Sequence, residues 1–173
     1  MFGLTTLGIF HTAISLVAVG AGLIALLRDR QITLNNTIGK TYVILTAITA
    51  LTGFGIFQHG GFGKPHVLGI MTLVVLAVAI VAGRTSFYGR ASRYVETLAC
   101  TTTLFFHMIP GITETATRLP LGAPLAAGPD APLVQRTVGV ALVLFLIVGT
   151  LQVRRLRAMQ RGAMAPARPP SAS

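Results

Sequence analysis

The stretch at residues 93–114, RYVETLACTTTLFFHMIPGITE, decides the fold, because it is long enough to cross a bilayer and yet carries polar groups along its length. Its polar and small members recur at steps of three and four residues: Glu96, Cys100, Thr103, His107, Gly111 and Glu114. That spacing is one face of an α-helix. Ionisable side chains at membrane depth usually face the interior of a bundle, where they find partners. The stretch therefore predicts a membrane helix whose polar stripe faces other helices.

The composition around this stretch is typical of an integral membrane protein. The chain has 173 residues, of which 53% are hydrophobic and 10% charged, whereas soluble domains carry about 25% charged residues. Five spans are predicted, at about residues 4–27, 41–58, 66–83, 93–112 and 134–153. We expect an all-α fold in which these five transmembrane helices form one helical bundle domain over residues 1–160, followed by a disordered tail at 161–173.

The placement of the basic residues predicts how the chain is oriented. The formal charge of +10 comes from Lys and Arg that flank the apolar runs, which favours attraction to the lipid bilayer and argues against nucleic acid as a partner. Basic residues are concentrated after the first, third and fifth spans. Because Lys and Arg collect on the cytoplasmic side of a membrane, we expect the N-terminus outside and the C-terminus inside.

This orientation places all four histidines of the chain in the outer leaflet. His11 lies near the outer end of the first span, and His59 and His66 flank the turn between the second and third spans. His107 lies about five residues, or about 8 Å, from the outer end of the fourth span. His11 and His107 also fall on helix faces that should turn inward. The sequence therefore predicts an outer-leaflet histidine cluster.

Imidazole is the usual protein ligand of transition metals and of haem iron. The leading prediction is a b-type haem that transfers electrons, with His11 and His107 as axial ligands and His59 and His66 as alternatives or supporting groups. Convergence of three or four histidines near Glu114 would suit zinc or copper instead.

Two further functions stay open, and one of them needs no cofactor. His107 could relay protons together with Glu96 or Glu114, or face a quinone. A hydrogen bond from His107 to Thr103, Ser15 or a carbonyl would equally satisfy the imidazole. The chain would then be an accessory or structural subunit of a membrane complex, or a small transporter.

The remaining polar features assign no catalytic residue. Glu96 lies at the inner end of its span, where we expect an arginine of the basic loops to pair with it. The single Cys100 is interpreted as a helix-packing residue. The sequence contains no glycine-rich phosphate loop after a strand, no CxxC or CxxCH and no HExxH. Whether the chain is an enzyme is therefore not decided by its motifs.

Three segments resemble a bacterial family of small multi-span membrane proteins with a domain of unknown function: NNTIGKTYVILTAITALTGFGIF, HVLGIMTLVVLAVAIVAGR and YVETLACTTTLFFHMIPGITETATRLPLG. The resemblance covers roughly residues 4–125 and implies a multi-pass protein of the bacterial cytoplasmic (inner) membrane. The family often has a His-Arg pair just before the second span, where this chain has Asn35 and Asn36. In architecture the chain is also similar to membrane cytochrome b proteins, in which four helices hold haem between histidines.

Overall fold

The structure, a computed structural model, describes residues 5–56 and 61–163. These residues form five α-helices, a short 3-10 turn at Gly89–Ala91 and no strand. The helices are α1 Thr6–Asp29, α2 Thr37–Gly53, α3 Lys64–Arg84, α4 Ser92–Arg118 and α5 Pro132–Ala163. The all-α fold class is therefore confirmed for the described part of the chain.

The second helix begins and ends earlier than its apolar run. It starts at Thr37 and not at residue 41, because the Asn36 side chain accepts a hydrogen bond from the N–H of Gly39 at 2.8 Å and caps the helix. It ends at Gly53 and not at residue 58. Residues 57–60, which include His59, lie outside the described residues.

The fifth helix continues past its apolar run and carries the basic residues that follow it. It extends to Ala163, so that Arg161 is helical and does not begin a tail as predicted; residues 164–173 are outside the described range. A contact with α4 holds this extension, since the Tyr94 hydroxyl donates to Oε1 of Gln160 at 2.9 Å.

Three of the described helices, α1, α3 and α5, are long and apolar enough to cross a membrane. The other two helices, α2 and α4, do not meet this criterion, each for a different reason. Helix α2 has 17 residues, which makes it about 26 Å long. Helix α4 has 27 residues, but its polar stripe lowers its mean hydropathy. Length and composition alone therefore do not establish that all five helices are spans.

Helix α4 lies at the centre of the bundle and contacts α1, α3 and α5. Four members of its predicted stripe are buried, namely Glu96, Cys100, Thr103 and His107. The prediction that the stripe faces other helices is confirmed for these four residues. Gly111 and Glu114 are exposed, although Ala116, further along the same helix, is buried in a small cluster with Ala126 and Val134.

Small residues of α1 are buried against neighbouring helices. Gly8, Ala18 and Gly22 are among its buried residues. A Cβ at Gly22 would lie 3.0 Å from both Leu104 and Tyr42. The absence of a side chain there lets α2 and α4 approach α1 closely, which is how small residues act in membrane helix packing.

Candidate functional site

The candidate site lies where α1, α2 and α4 meet around His107. Its ring is 8% exposed. Nε2 lies 3.2 Å from Oγ1 of Thr46 on α2, and Nδ1 lies 3.4 Å from Oγ of Ser15 on α1. Three helices therefore hold this imidazole, and the Ser15 contact is one of the partners that the cofactor-free alternative required.

His11 is held by the same helix, α2, one and a half turns further along. Its Nδ1 lies 3.1 Å from Oγ1 of Thr52. That hydroxyl also lies 2.9 Å from the carbonyl of Ile48 and 3.0 Å from the carbonyl of Thr49. Because carbonyls only accept, the hydroxyl proton points to them, and the Thr52 oxygen accepts from Nδ1–H of His11. The neutral ring then keeps its lone pair on Nε2.

Close backbone approach positions His11, and the two imidazoles are near one another. A Cβ at Gly53 would lie 3.3 Å from Cε1 of His11, so a glycine of α2 makes room for the ring. Both rings contact hydroxyls of α2, Thr52 for His11 and Thr46 for His107, and His107 also contacts Ser15, which lies one helical turn from His11 on α1. The structure therefore brings together the two histidines that the sequence selected as the best-placed pair.

A buried tyrosine, Tyr42, extends the polar contacts from His107 toward the Glu96 end of α4. The hydroxyl of Tyr42 lies 2.7 Å from Oγ1 of Thr103 and 3.3 Å from the carbonyl of Cys100. Thr103 donates to the same carbonyl at 2.9 Å, which leaves its oxygen to accept from Tyr42. The rings of Tyr42 and His107 meet edge to face, with centroids 6.4 Å apart.

Tyr42 and Thr46 were not selected from the sequence, although a signal for them existed. Tyr42, Thr46 and Thr49 are spaced by four and three residues inside an apolar run, and all three are buried. This is the same pattern that marked α4. Tyr42 contacts Thr103 and Thr46 contacts His107, so one face of α2 supplies partners for this part of the α4 stripe.

Glu96 occupies the opposite end of the stripe and has different partners from those expected. Its Oε1 accepts from the Thr33 hydroxyl at 2.9 Å and from the N–H of Leu34 at 2.7 Å. Among the described residues no arginine lies within ion-pair distance of it, so the expected arginine partner is wrong. The connection between α1 and α2 folds inward and supplies backbone and hydroxyl donors instead. Gly83 makes room for the carboxylate, since a Cβ there would lie 2.7 Å from Oε1.

The other two members of the predicted cluster do not join this site in the described structure. His66 is buried at the start of α3, where its ring stacks on Phe62 and Phe54 with centroids 5.2 Å and 6.4 Å away. The N–H of Gly63 donates to its Nδ1 at 3.3 Å. His59 lies outside the described residues. Glu114 is exposed and forms an ion pair with Arg118, four residues further along α4.

The donor set gives limited support to a bound metal or haem. Within residues 5–56 and 61–163, no group of three or more His, Cys, Asp or Glu side chains could hold a metal ion. Both nitrogens of His107 lie within hydrogen-bonding distance of hydroxyls, so His11 and His107 do not fit as an axial haem pair in this packing. Haem binding stays a prediction from the sequence.

Comparison of the chain with protein-family models, with curated proteins and with solved structures gave no match. The resemblance to a bacterial membrane protein family therefore stays a prediction as well.

Proposed function

We propose that this chain is a five-span protein of a bacterial cytoplasmic membrane that transfers protons through its helical bundle, with His107 as the central proton carrier and His11 as its partner. One observation carries the proposal: the side chain of His107, a residue that is 8% exposed, lies between hydroxyls of two other helices, and one of these helices, α1, also carries His11. Among protein side chains, the imidazole of histidine is the one that ordinarily gains and loses a proton near neutral pH. Ionisable groups inside membrane bundles commonly mark proton and ion pathways.

Groups that exchange protons continue on both sides of His107. Toward Glu96 they are Thr46, which contacts His107, and the Tyr42–Thr103 pair. Toward Glu114 they are Ser15, which contacts His107, and His11 on the same helix as Ser15. Hydroxyls both donate and accept, so they pass a proton on by exchanging these roles. Residues 96 to 114 of α4 cover about 27 Å, close to the bilayer hydrocarbon thickness of about 30 Å.

Contacts inside the bundle support a five-span topology. Thr46 of α2 and Thr103 and His107 of α4 are buried and have partners on other helices, as polar groups of a membrane-spanning helix require. With the basic segments on the cytoplasmic side, the N-terminus lies outside and the C-terminus inside.

Cysteine labelling tests this orientation, because Cys100 is the only cysteine. On a Cys100→Ser background, Ala123→Cys lies between α4 and α5 and Ser86→Cys lies between α3 and α4. We expect an impermeant maleimide to label Ala123→Cys in intact cells and Ser86→Cys only after permeabilisation. The reverse pattern would reject the orientation.

Proton flux into liposomes tests the function. The purified protein is reconstituted with an entrapped pH-sensitive dye, and flux is driven by a potassium diffusion potential. His107→Asn keeps hydrogen-bonding groups but cannot titrate, so we expect its flux to fall about tenfold or more below wild type. His66→Asn is the matched control, since His66 is equally buried but lies at the start of α3, and its flux should be unchanged.

Two outcomes would reject proton transfer. The first is a wild-type flux equal to that of protein-free liposomes, and the second is an undiminished flux in His107→Asn. In either case the buried polar groups serve to fix the packing of α1, α2 and α4, and the chain fits the role of an accessory or structural subunit.

Haem-based electron transfer is the second candidate, and one specific feature favours it. His11 donates from Nδ1 to Thr52, which leaves the lone pair of the neutral ring on Nε2, and this is how metal-bound and haem-bound histidines are commonly oriented. The purified protein, expressed with ample haem, would show a Soret band at about 410–430 nm, and His11→Ala would abolish it. A colourless preparation would reject haem, and metal analysis of the same sample tests zinc and copper.

A further inference from the structure

An open apolar groove runs along the surface between α4 and α5, near the end of the α5 apolar run. It has a volume of about 340 Å³ and is lined by Leu98 of α4 and by Phe145 and Val153 of α5. Gly149 forms part of the lining, and a Cβ placed there would meet Leu98 at 3.5 Å. The groove is therefore a consequence of a missing side chain at the point where the two helices touch.

Two arginines, Arg154 and Arg157, line the same groove. The chain has four acidic residues, all of them in the described ranges. Each has another partner: Asp29 contacts Arg28, Glu114 contacts Arg118, Asp130 contacts Lys64, and Glu96 contacts Thr33 and Leu34. No carboxylate of the described chain therefore neutralises Arg154 or Arg157, and both side chains are exposed.

We propose that this groove binds one anionic phospholipid, with an acyl chain along the apolar lining and the phosphate between Arg154 and Arg157. Leu146, Thr150, Arg154 and Arg157 follow one another at helical spacing on one face of α5. The apolar part of the groove therefore leads directly to the guanidinium groups.

The chemistry of both parts fits a phospholipid. Leu146 and Arg157 are separated by about 16 Å along the helix axis, so that one molecule can contact both parts of the groove. Arginine binds phosphate through two parallel hydrogen bonds. In the proposed orientation these arginines face the cytoplasmic leaflet, which carries the anionic lipids. The site is separate from the histidine pair and does not depend on proton transfer.

Native mass spectrometry of the full chain in detergent tests the site, with phosphatidylglycerol and phosphatidylcholine of equal acyl length as probes. We expect wild type to retain one phosphatidylglycerol and to bind phosphatidylcholine much more weakly. The double variant Arg154→Gln/Arg157→Gln should bind phosphatidylglycerol about 30-fold more weakly, because two guanidinium–phosphate attractions are lost. Arg84→Gln/Arg90→Gln removes the same charge from exposed positions on the same proposed side and should bind like wild type.

A second pair of variants tests the groove without changing the charge. Gly149→Leu fills the groove and should abolish retention of phosphatidylglycerol. Gly139→Leu, on the same helix, meets no atom within 4 Å of its added Cβ and should retain the lipid. Thermal unfolding of each variant shows whether the fold is kept. Because Arg154 and Arg157 are exposed, their substitution tests the site even if Gly149→Leu unfolds.

Three results would overturn the proposal. They are equal retention of the two lipids, equal binding by the two double-arginine variants, and displacement of the lipid by millimolar inorganic phosphate. The last result would show a site for the bare anion and not for a phospholipid.

Discussion

Helices α4 and α5 are neighbours, and they distribute polar and apolar residues in opposite ways. On α4 the buried residues include Glu96, Thr97, Thr101, Thr103 and His107. On α5 only 6% of the most apolar window is buried, and leucines and valines cover its outer surface. In lipid, apolar surface supplies no drive for helices to associate, so small and polar side chains make the contacts between them. The polar helix is therefore the one in the centre.

This difference explains why α5 is apolar enough to cross a membrane by composition and α4 is not. Hydropathy reports what a helix presents to lipid. A helix that other helices surround exposes little surface to lipid, so it can carry polar residues that pack against its neighbours or take part in chemistry. The variants below compare the two helices, from the largest expected effect to the smallest.

Truncation of a large side chain that packs on α4 should have the largest effect. Tyr42 is fully buried against Cys100, Thr103 and His107. We expect Tyr42→Ala to lower the free energy of unfolding by about 3–5 kcal/mol, because it leaves a cavity and removes two hydrogen bonds. Reversible unfolding in mixed micelles, followed by circular dichroism, measures this.

The matched truncation on α5 is Leu144→Ala. Leu144 is 57% exposed, so its loss should change the unfolding free energy by about 0.5 kcal/mol or less. Equal losses in the two variants would contradict the idea that the polar side of the bundle holds the fold together.

The buried carboxylate should have the next largest effect. Glu96→Ala leaves the Thr33 hydroxyl and the Leu34 N–H without an acceptor, and we expect a loss of about 2–3 kcal/mol. Glu96→Gln keeps an oxygen in the same place, so its loss should be about 1 kcal/mol or less, measured in the same unfolding experiment. If both variants were equally damaging, the negative charge itself would be required, as in an ion pair with an arginine.

The sequence predicted the helices well because their signals are local. Apolar length and three- and four-residue spacing gave five helices, and they gave the inward face of α4 through Glu96, Cys100, Thr103 and His107. Helix ends were less well predicted, because they depend on caps and on contacts such as the one between Tyr94 and Gln160.

The partners across the bundle could not be predicted in the same way. The periodicity of a sequence shows which face of a helix turns inward, but not how far the helix is shifted along its axis relative to a neighbour. No local pattern therefore predicts that His107 contacts Thr46 or that Tyr42 contacts Thr103. The Glu96 site was missed for a related reason. Its donors come from a connection that looked like a polar loop, yet Thr33 and Leu34 are buried.

The smallest effect should come from Gln152, a position at which α5 carries a buried polar side chain as α4 does. Gln152 is buried; its Oε1 accepts from Thr101 at 3.0 Å, and its Nε2 donates to the carbonyl of Arg30 at 3.3 Å. Gln152→Leu keeps most of the volume but removes both bonds, and we expect a loss of about 1–2 kcal/mol.

The control on the exposed face of the same helix is Thr150→Val. The Thr150 hydroxyl donates only to the carbonyl of Leu146 in its own helix at 2.8 Å, so this variant should unfold like wild type to within about 0.5 kcal/mol. If neither Gln152→Leu nor Thr150→Val changed the free energy of unfolding, apolar packing alone would hold α5 in place. A clear loss at Gln152 alone would mean that even this lipid-facing helix is fixed by a polar contact.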